Sequence, residues 1–516
     1  MKRSIIIFFA IAALALSGCS KSSGTESSPE EGQRFGEKTE LGKKLNNPYA
    51  LENMKAVSEE PLEANFLYVR FLPEDDRDIF LLQQKGLHLY EYPLDYELDV
   101  IGRSYHDPSV PEDKPTWQYT IVPADFDFPD VTYEELEKCY IPENDRALEE
   151  AAFRHAGYEV AGAVKSGDED ARLSINLRIR SDFPGSPEEG EGVKGVKVYW
   201  RSFVKEVAGY TDEDGKCSIV NDFISYPELS VTFDNVNGFS IWENLYFIDA
   251  VSMNLGIQKT AEKSLKLSYG DDCWSLGVIN NSAYDYYASC REDNVKLPPS
   301  DLKIWAWTFV GSSSASMIRR VNGYEGGQIT SLAKALIDTL SQKTKLDLEK
   351  VLPDLTVGTV YCNKQGYDGS RYRIMYKATW HELTHASHFS QAGDDVWAKY
   401  IDYIVKYGAY GTGVVRSEED REGMNICDLG ESWAYSNERY LQLLKFNQNR
   451  DTLGDEWFDA HYLSIFNILN QGVLTRKQMY DCLTPAVRSY ADFANALIST
   501  YDTKKEDLQK LLQLPE

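Results

Sequence analysis

Three regimes of hydrophobic patterning succeed one another along the chain. From about residue 60 to 190, short apolar runs alternate with charged turns. There "NFLYVRFLPEDD" and "LHLYEYPLDYELDV" carry the period-two alternation of strands, while "YEELEKCYIPENDRALEEAAFRHAG" reads as helical or mixed. Between about 194 and 260, runs of Val, Tyr, Phe and Ile with period two are separated by Gly, Asp and Asn, which predicts a small antiparallel β-sandwich. From about 300 the period lengthens to that of helices, over Ser331–Leu340, Trp397–Val405, Trp433–Leu444 and Trp457–Leu469. Thr475-Arg476-Lys477-Gln478 is a capping-box start, and "KKEDLQKLLQLPE" predicts a short amphipathic helix. No repeat of fixed period is present. The expectation is a multidomain protein: a mixed α/β region over 51–190, a β-sandwich accessory module over 191–262, and a mainly α-helical domain over 263–516.

Length and charge narrow the function. A chain of 516 residues suggests about two to four domains. The formal charge of -27 leaves no basic surface for phosphate, so nucleic acid is excluded as an expected partner. Met1-Lys2-Arg3 followed by the apolar run Ser4–Leu16 has the build of a secretory signal and is too short for a membrane span. Leu16-Ser17-Gly18-Cys19 resembles the bacterial lipobox. That resemblance implies removal of residues 1–18, a lipid on the Cys19 thiol, and a tether to the outer membrane, at its periplasmic face or the cell surface. The cut also removes Lys2 and Arg3, taking the charge to about -29. Residues 19–50, rich in Ser, Gly, Glu and Lys, read as a flexible linker.

Seven cysteines come after Cys19: Cys139, Cys217, Cys273, Cys290, Cys362, Cys427 and Cys482. The odd count leaves at least one unpaired in an exported protein, and Cys273 with Cys290 is the favoured local pair. No Cys-x-x-Cys supports a zinc ribbon or redox site. His88, His106 and His155 stand alone and read as structural. The segment from Thr211 to Lys216 lacks the full ligand pattern of a calcium loop and predicts a hairpin with Gly215 at positive φ. The "G-V-x-V" strand and "T-D-x-x-G" turn of this region resemble the carboxypeptidase regulatory-like, transthyretin-type sandwich, which implies an accessory, positioning role.

Three more of the seven histidines lie in "KATWHELTHASHFSQAG", Lys377 to Gly393. His381-Glu382-Leu383-Thr384-His385 is an H-E-x-x-H sequence. On a helix its two imidazoles lie within about 40° of each other, one turn apart, and can converge on one metal. Glu382 is placed to reach a water rather than the ion. Ile374, Met375, Ala378, Leu383, Ala386 and Phe389 predict a buried helix, with Gly393 as its stop. His388 faces the same way but lies about 10 Å from His381 along the axis, far beyond a zinc–nitrogen bond of about 2 Å. It is therefore expected beside the site or in the substrate cleft. The metzincin pattern is excluded, because His388 and Gln391 stand at its glycine and third-histidine positions.

With "NICDLGESWAYSNERYLQLL" downstream, the C-terminal half resembles a gluzincin-type zinc metallopeptidase, within an architecture that looks like Bacteroidota lipoproteins. The resemblance implies a zincin-like catalytic domain binding one Zn²⁺ through His381, His385 and Glu431, at the start of a second helix. Glu438 and Glu422 compete for that third place. Ala434, three residues after Glu431, has the small side chain that lets two such helices close together. Many gluzincins carry an aspartate four residues after the glutamate to orient the first histidine; Tyr435 stands there, so the orienting partner is unassigned. Asp428 and Glu431 also fit a capping box, which would explain Glu431 without metal. The implied reaction is hydrolysis of peptide bonds in a peptide or protein substrate. Zinc activates the water, Glu382 is the general base, and Tyr435 or His461 stabilises the oxyanion. The alternatives are a surface binding lipoprotein with a structural or vestigial zinc site, and hydrolysis of a non-peptide amide.

Overall fold

In the computed structural model the described residues are 38–512, apart from 75, 103, 112–113, 161–171, 244–249, 308–312, 316, 318–319, 322–352, 360–369, 408–414 and 448–459. The signal, Cys19, Cys362 and the helix expected over 331–340 lie outside them. The fold is mixed α/β, with several sheets and then a helical C-terminal region. Among the described residues, no helix is long and apolar enough to cross a membrane.

The N-terminal region contains β1 (Glu40–Lys44), α1 (Leu51–Val57), β2 (Phe66–Phe71), α2 (Asp76–Gln84), β3 (Tyr96–Val100), β4 (Gln118–Pro123), β5 (Tyr133–Cys139) and α3 (Arg146–His155). β1 pairs with β3, and β4-β2-β5 form an antiparallel sheet. "YEELEKC" thus becomes a strand despite its helix-forming composition, because pairing along β2 overrides local propensity. His88 stacks on Tyr199 at 3.8 Å and meets Glu206 at 2.9 Å, while His106 Nε2 lies 2.9 Å from the Val110 carbonyl oxygen.

The central strands are β6 (Arg172–Ile179), β7 (Glu191–Gly192), β8 (Val196–Ser202), β9 (Lys205–Tyr210), β10 (Lys216–Val220), β11 (Glu228–Asn235), β12 (Phe239–Trp242), β13 (Ser252–Ile257) and β14 (Glu262–Leu267). After them come α4 (Trp274–Glu292), β15 (Leu302–Trp307) and β16 (Leu355–Gly358). One sheet runs β10-β6-β14, with β7 also on β6. The other runs β16-β15-β12-β11-β8-β9, with β13 also on β11. Alternate residues of β6 (Leu173, Ile175, Leu177, Ile179) share one core with Val196, Val198 and Trp200 of β8 and with Leu229, Val231 and Phe233 of β11.

This two-layer arrangement differs from the expected antiparallel sandwich. β14 runs parallel to β6, β12 to β15, and β15 to β16. The chain between β12 and β15 includes α4, a crossover of the length that parallel pairing needs. The turn at Asp212–Gly215 also departs from a hairpin, since β9 pairs with β8 and β10 with β6. It steps between layers. Gly215 has the expected positive φ of 78°, and a Cβ there would come within 2.0 Å of the Leu177 carbonyl oxygen.

The helical region comprises α5 (Arg371–Ala392), α6 (Asp394–Tyr407), α7 (Glu418–Phe446), α8 (Ala460–Asn470), α9 (Arg476–Tyr480), α10 (Tyr490–Thr500) and α11 (Lys505–Leu512). Its apolar faces join the core of the sheets through α4, so one hydrophobic core runs from β6 to α11. The capping box at Thr475 and Gln478 forms as expected. Cys273 immediately precedes α4 and Cys290 lies in its last turn, about 25 Å away along the axis. They cannot form the disulfide expected of them. All six cysteines among the described residues are buried free thiols.

The H-E-x-x-H helix, α5, stops at Gly393 as the chain pattern predicts. Ser370 accepts from the Arg373 N–H, and Gly393 ends the helix at φ 84°. Tertiary structure adds a second cap. Asp182, just past β6, accepts from the N–H groups of Arg371 (2.8 Å) and Tyr372 (2.9 Å) and from the Ser370 hydroxyl (2.9 Å). Asp182→Ala is expected to lower stability by about 1–2 kcal/mol, through two lost cap bonds and a lost anion at the positive end of the dipole. Urea unfolding should show a lower midpoint with an unchanged slope. An unchanged midpoint would mean that Ser370 caps the helix unaided.

Candidate metal centre

α5 is buried on almost every side. Trp380 Nε1 donates to the Ser282 carbonyl oxygen of α4 at 2.8 Å, and the Tyr480 hydroxyl donates to the Ser387 carbonyl oxygen at 2.6 Å. These bonds fix the rotation of the helix, so the face carrying His381 and His385 is turned toward α7. Ala434 is fully buried, and Gly430 leaves room beside the His385 ring, where a Cβ would lie 3.9 Å from Nδ1. The small side chain of Ala434 keeps the two helices close, whereas a Cβ at Gly430 would meet only ordinary contacts.

His381, His385 and Glu431 form the one group among the described residues with metal-ligand composition and spacing, and all three are buried. The two Nε2 atoms are 3.1 Å apart. Glu431 Oε2 lies 3.2 Å from His381 Nε2, and Oε1 lies 3.5 Å from His385 Nε2. Ligands at about 2.1 Å from a tetrahedral ion are separated by about 3.4 Å. The observed separations are close to that value, so the donor set suits a small divalent cation. This buried His-His-Glu cluster can hold a metal ion.

Glu431 is not at a helix start. Ser417 caps α7 by accepting from the Asp420 N–H, which puts Glu431 about 20 Å along the helix. The capping-box explanation fails, and Asp428 instead meets His461 Nδ1 at 2.9 Å. The competitors for the third ligand also resolve. Glu422 is neutralised by Lys399 and Arg488. Glu438 lies on the far nitrogen of His381, with Oε2 3.1 Å from Nδ1 and Oε1 3.3 Å from Lys377 Nζ. It supplies the orienting carboxylate that is missing at Tyr435. An Nδ1–H donated to Glu438 fixes the tautomer whose Nε2 lone pair faces the cluster. The i, i+7 spacing of Glu431 and Glu438 puts both on one helix face, and that spacing is the sequence signal for this role.

Glu382 is 5% exposed beside the cluster, and the backbone of Ala315 hydrogen-bonds to its carboxyl. Burial raises this carboxyl to about 8; His381 opposes the shift, while Glu431 and Glu438 reinforce it. The Tyr435 ring packs edge-on against His381 at 4.4 Å. His461 stacks on Tyr490 at 3.7 Å. Of the two expected oxyanion donors, only Tyr435 is in ring contact with a candidate ligand among the described residues. His388 is outside the ligand group, packed edge-on against Trp397 at 5.6 Å. Burial, with His385 nearby, lowers its imidazolium to about 3, so it is neutral at physiological pH.

Burial pulls the His381 imidazolium down, but the hydrogen bonds it donates to Glu431 and Glu438 reverse this and hold it at about 10. Burial would raise Glu431, yet His385 and His381 keep it well below the usual carboxylate range. Without metal, His381 therefore keeps its proton through the neutral range, and a cation must displace it. Affinity should climb with pH until about pH 10, roughly tenfold per unit, with about one proton released per ion. Chelator competition at several pH values, with calorimetry in buffers of different ionisation enthalpy, reads both quantities. A flat profile from pH 6.5 to 8.5 would contradict the assignment.

Comparison with family models, with curated proteins and with solved structures finds no match for this chain.

Proposed function

We propose that this chain is a zinc-dependent peptide hydrolase, exported and held at the bacterial outer membrane by a lipid on Cys19. The observation that carries the reading is the convergence of His381 Nε2, His385 Nε2 and Glu431 beside the buried Glu382 carboxyl. A purely structural site has no use for that carboxyl. The gluzincin-type resemblance, a positioning role for the two-layer β region and the choice of zinc belong to this proposal.

His381, His385 and Glu431 would hold Zn²⁺, which would supply the Lewis acidity that lowers the pKa of a water and polarises a scissile carbonyl. Glu382 takes the proton of the attacking water and passes it to the leaving amine. Tyr435 offers a hydroxyl to the developing oxyanion. Glu438 and Lys377 keep His381 in one tautomer and one orientation.

The reading is tested by metal removal. Dialysis against a strong chelator should abolish cleavage of a peptide library, and a stoichiometric amount of Zn²⁺ should restore it. Cleavage that persists in protein shown to be zinc-free would defeat the proposal.

A further inference from the structure

Glu431 is gripped from a second direction, by a helix other than its own. Tyr400, in the middle of α6, donates its hydroxyl proton to Glu431 Oε1 across 3.0 Å, and both residues are 6% exposed. Oε1 is the oxygen turned toward His385, whereas Oε2 is turned toward His381. The Tyr400 ring is immobilised by a stack on Trp397, with centroids 4.8 Å apart and planes at 19°. Trp397 in turn packs edge-on against His385, His388 and Phe389 of α5. Because α6 starts directly after the Gly393 turn, this anchor is set by the same helix–turn–helix that presents the two histidines.

We propose that Tyr400 is a positioning residue that makes Glu431 a one-oxygen ligand, its hydroxyl occupying Oε1 and leaving Oε2 for the cation. This role presupposes the His381, His385 and Glu431 metal site. The physical consequence is an open coordination position. Two imidazoles and a carboxylate gripping through both oxygens already make four donors, the usual complement of a closed structural site. The Tyr400 hydroxyl draws charge from Oε1 and makes it the weaker donor of the two oxygens, which favours binding through Oε2 alone and leaves the fourth place for water and substrate.

Tyr400→Phe keeps the ring and its stack and deletes only the hydroxyl. Tyr407→Phe is the control, because it deletes the hydroxyl that the same helix gives to Asp420 at 2.7 Å. Wild type and both variants are loaded with Co²⁺ for visible absorption, and Zn²⁺ affinity is measured by chelator competition. Four-coordinate Co²⁺ absorbs strongly, and a fifth donor weakens the band. Wild type and Tyr407→Phe should show the intense band, while Tyr400→Phe should lose about half of it or more. Zn²⁺ affinity of Tyr400→Phe should fall about tenfold, the scale of a lost outer partner. An undiminished band in Tyr400→Phe overturns the inference. X-ray absorption at the zinc edge of loaded wild type needs no variant: a four-donor shell is expected, and a shell with both Glu431 oxygens overturns it. A wild-type chain that takes up neither ion removes the metal site itself, and the role of Tyr400 with it.

Discussion

Glu382→Ala is expected to lower peptide turnover by about 10²- to 10⁴-fold, the usual contribution of a positioned acid–base group. The zinc content should stay at that of the wild type, because Glu382 is outside the ligand group. The loss should fall on kcat and kcat/KM together, since proton transfer is made only in the transition state. Glu382→Gln should be equally impaired, as an amide keeps the shape but does not take the proton. Stability is expected to move the other way. Burying this carboxyl is unfavourable enough to raise it to about 8, so replacing it should leave Tm unchanged or higher. Turnover of a peptide library by the two variants and the wild type, with elemental analysis of each, checks the set. Equal turnover by Glu382→Ala and wild type would sink the assignment of the base.

The second large effect is loss of metal. Glu431→Ala should weaken zinc binding by more than about 100-fold, beyond the 10- to 100-fold that outer partners cost. It removes the only carboxylate that the cluster offers and leaves two imidazoles facing each other at 3.1 Å. His388→Ala should keep near-stoichiometric zinc, because His388 packs on Trp397 and contributes no ligand atom. Zinc content of purified wild type, Glu431→Ala and His388→Ala reads the contrast directly. Zinc lost from His388→Ala but kept by Glu431→Ala would invert the ligand assignment.

Much of the site was legible from local spacing. The i, i+4 pair, Glu382 between them and the Gly393 stop are consequences of helix periodicity, and the axial distance alone removed His388 from the ligand set. Glu431 was reached through resemblance, yet its setting differs from the one expected. Asp428 and Glu431 have the capping-box spacing of a helix start, whereas the cap is at Ser417. The orienting role of Glu438 is hidden because the pattern of the gluzincins that the chain resembles points to Tyr435, about one turn too soon. Tyr400 carried no signal, since a tyrosine on an apolar helix face reads as core.

The chain by itself determined the features that depend on near neighbours along it: helix periods, the Gly393 stop, the cap at Thr475, the positive φ at Gly215, and two imidazoles on one face of α5. Only the tertiary structure decided the features that depend on contacts between distant segments. It set the strand state of "YEELEKC", the parallel pairing of β12 with β15, the cap from Asp182, and the separation of Cys273 from Cys290 along one helix. It also decided which of three glutamates closes the cluster. The physical reason is that periodicity fixes the direction of a side chain from its own helix, whereas a ligand set requires two helices at one distance and one rotation. That relation is carried by the packing of α5 against α4, α6 and α7, and no local pattern encodes it.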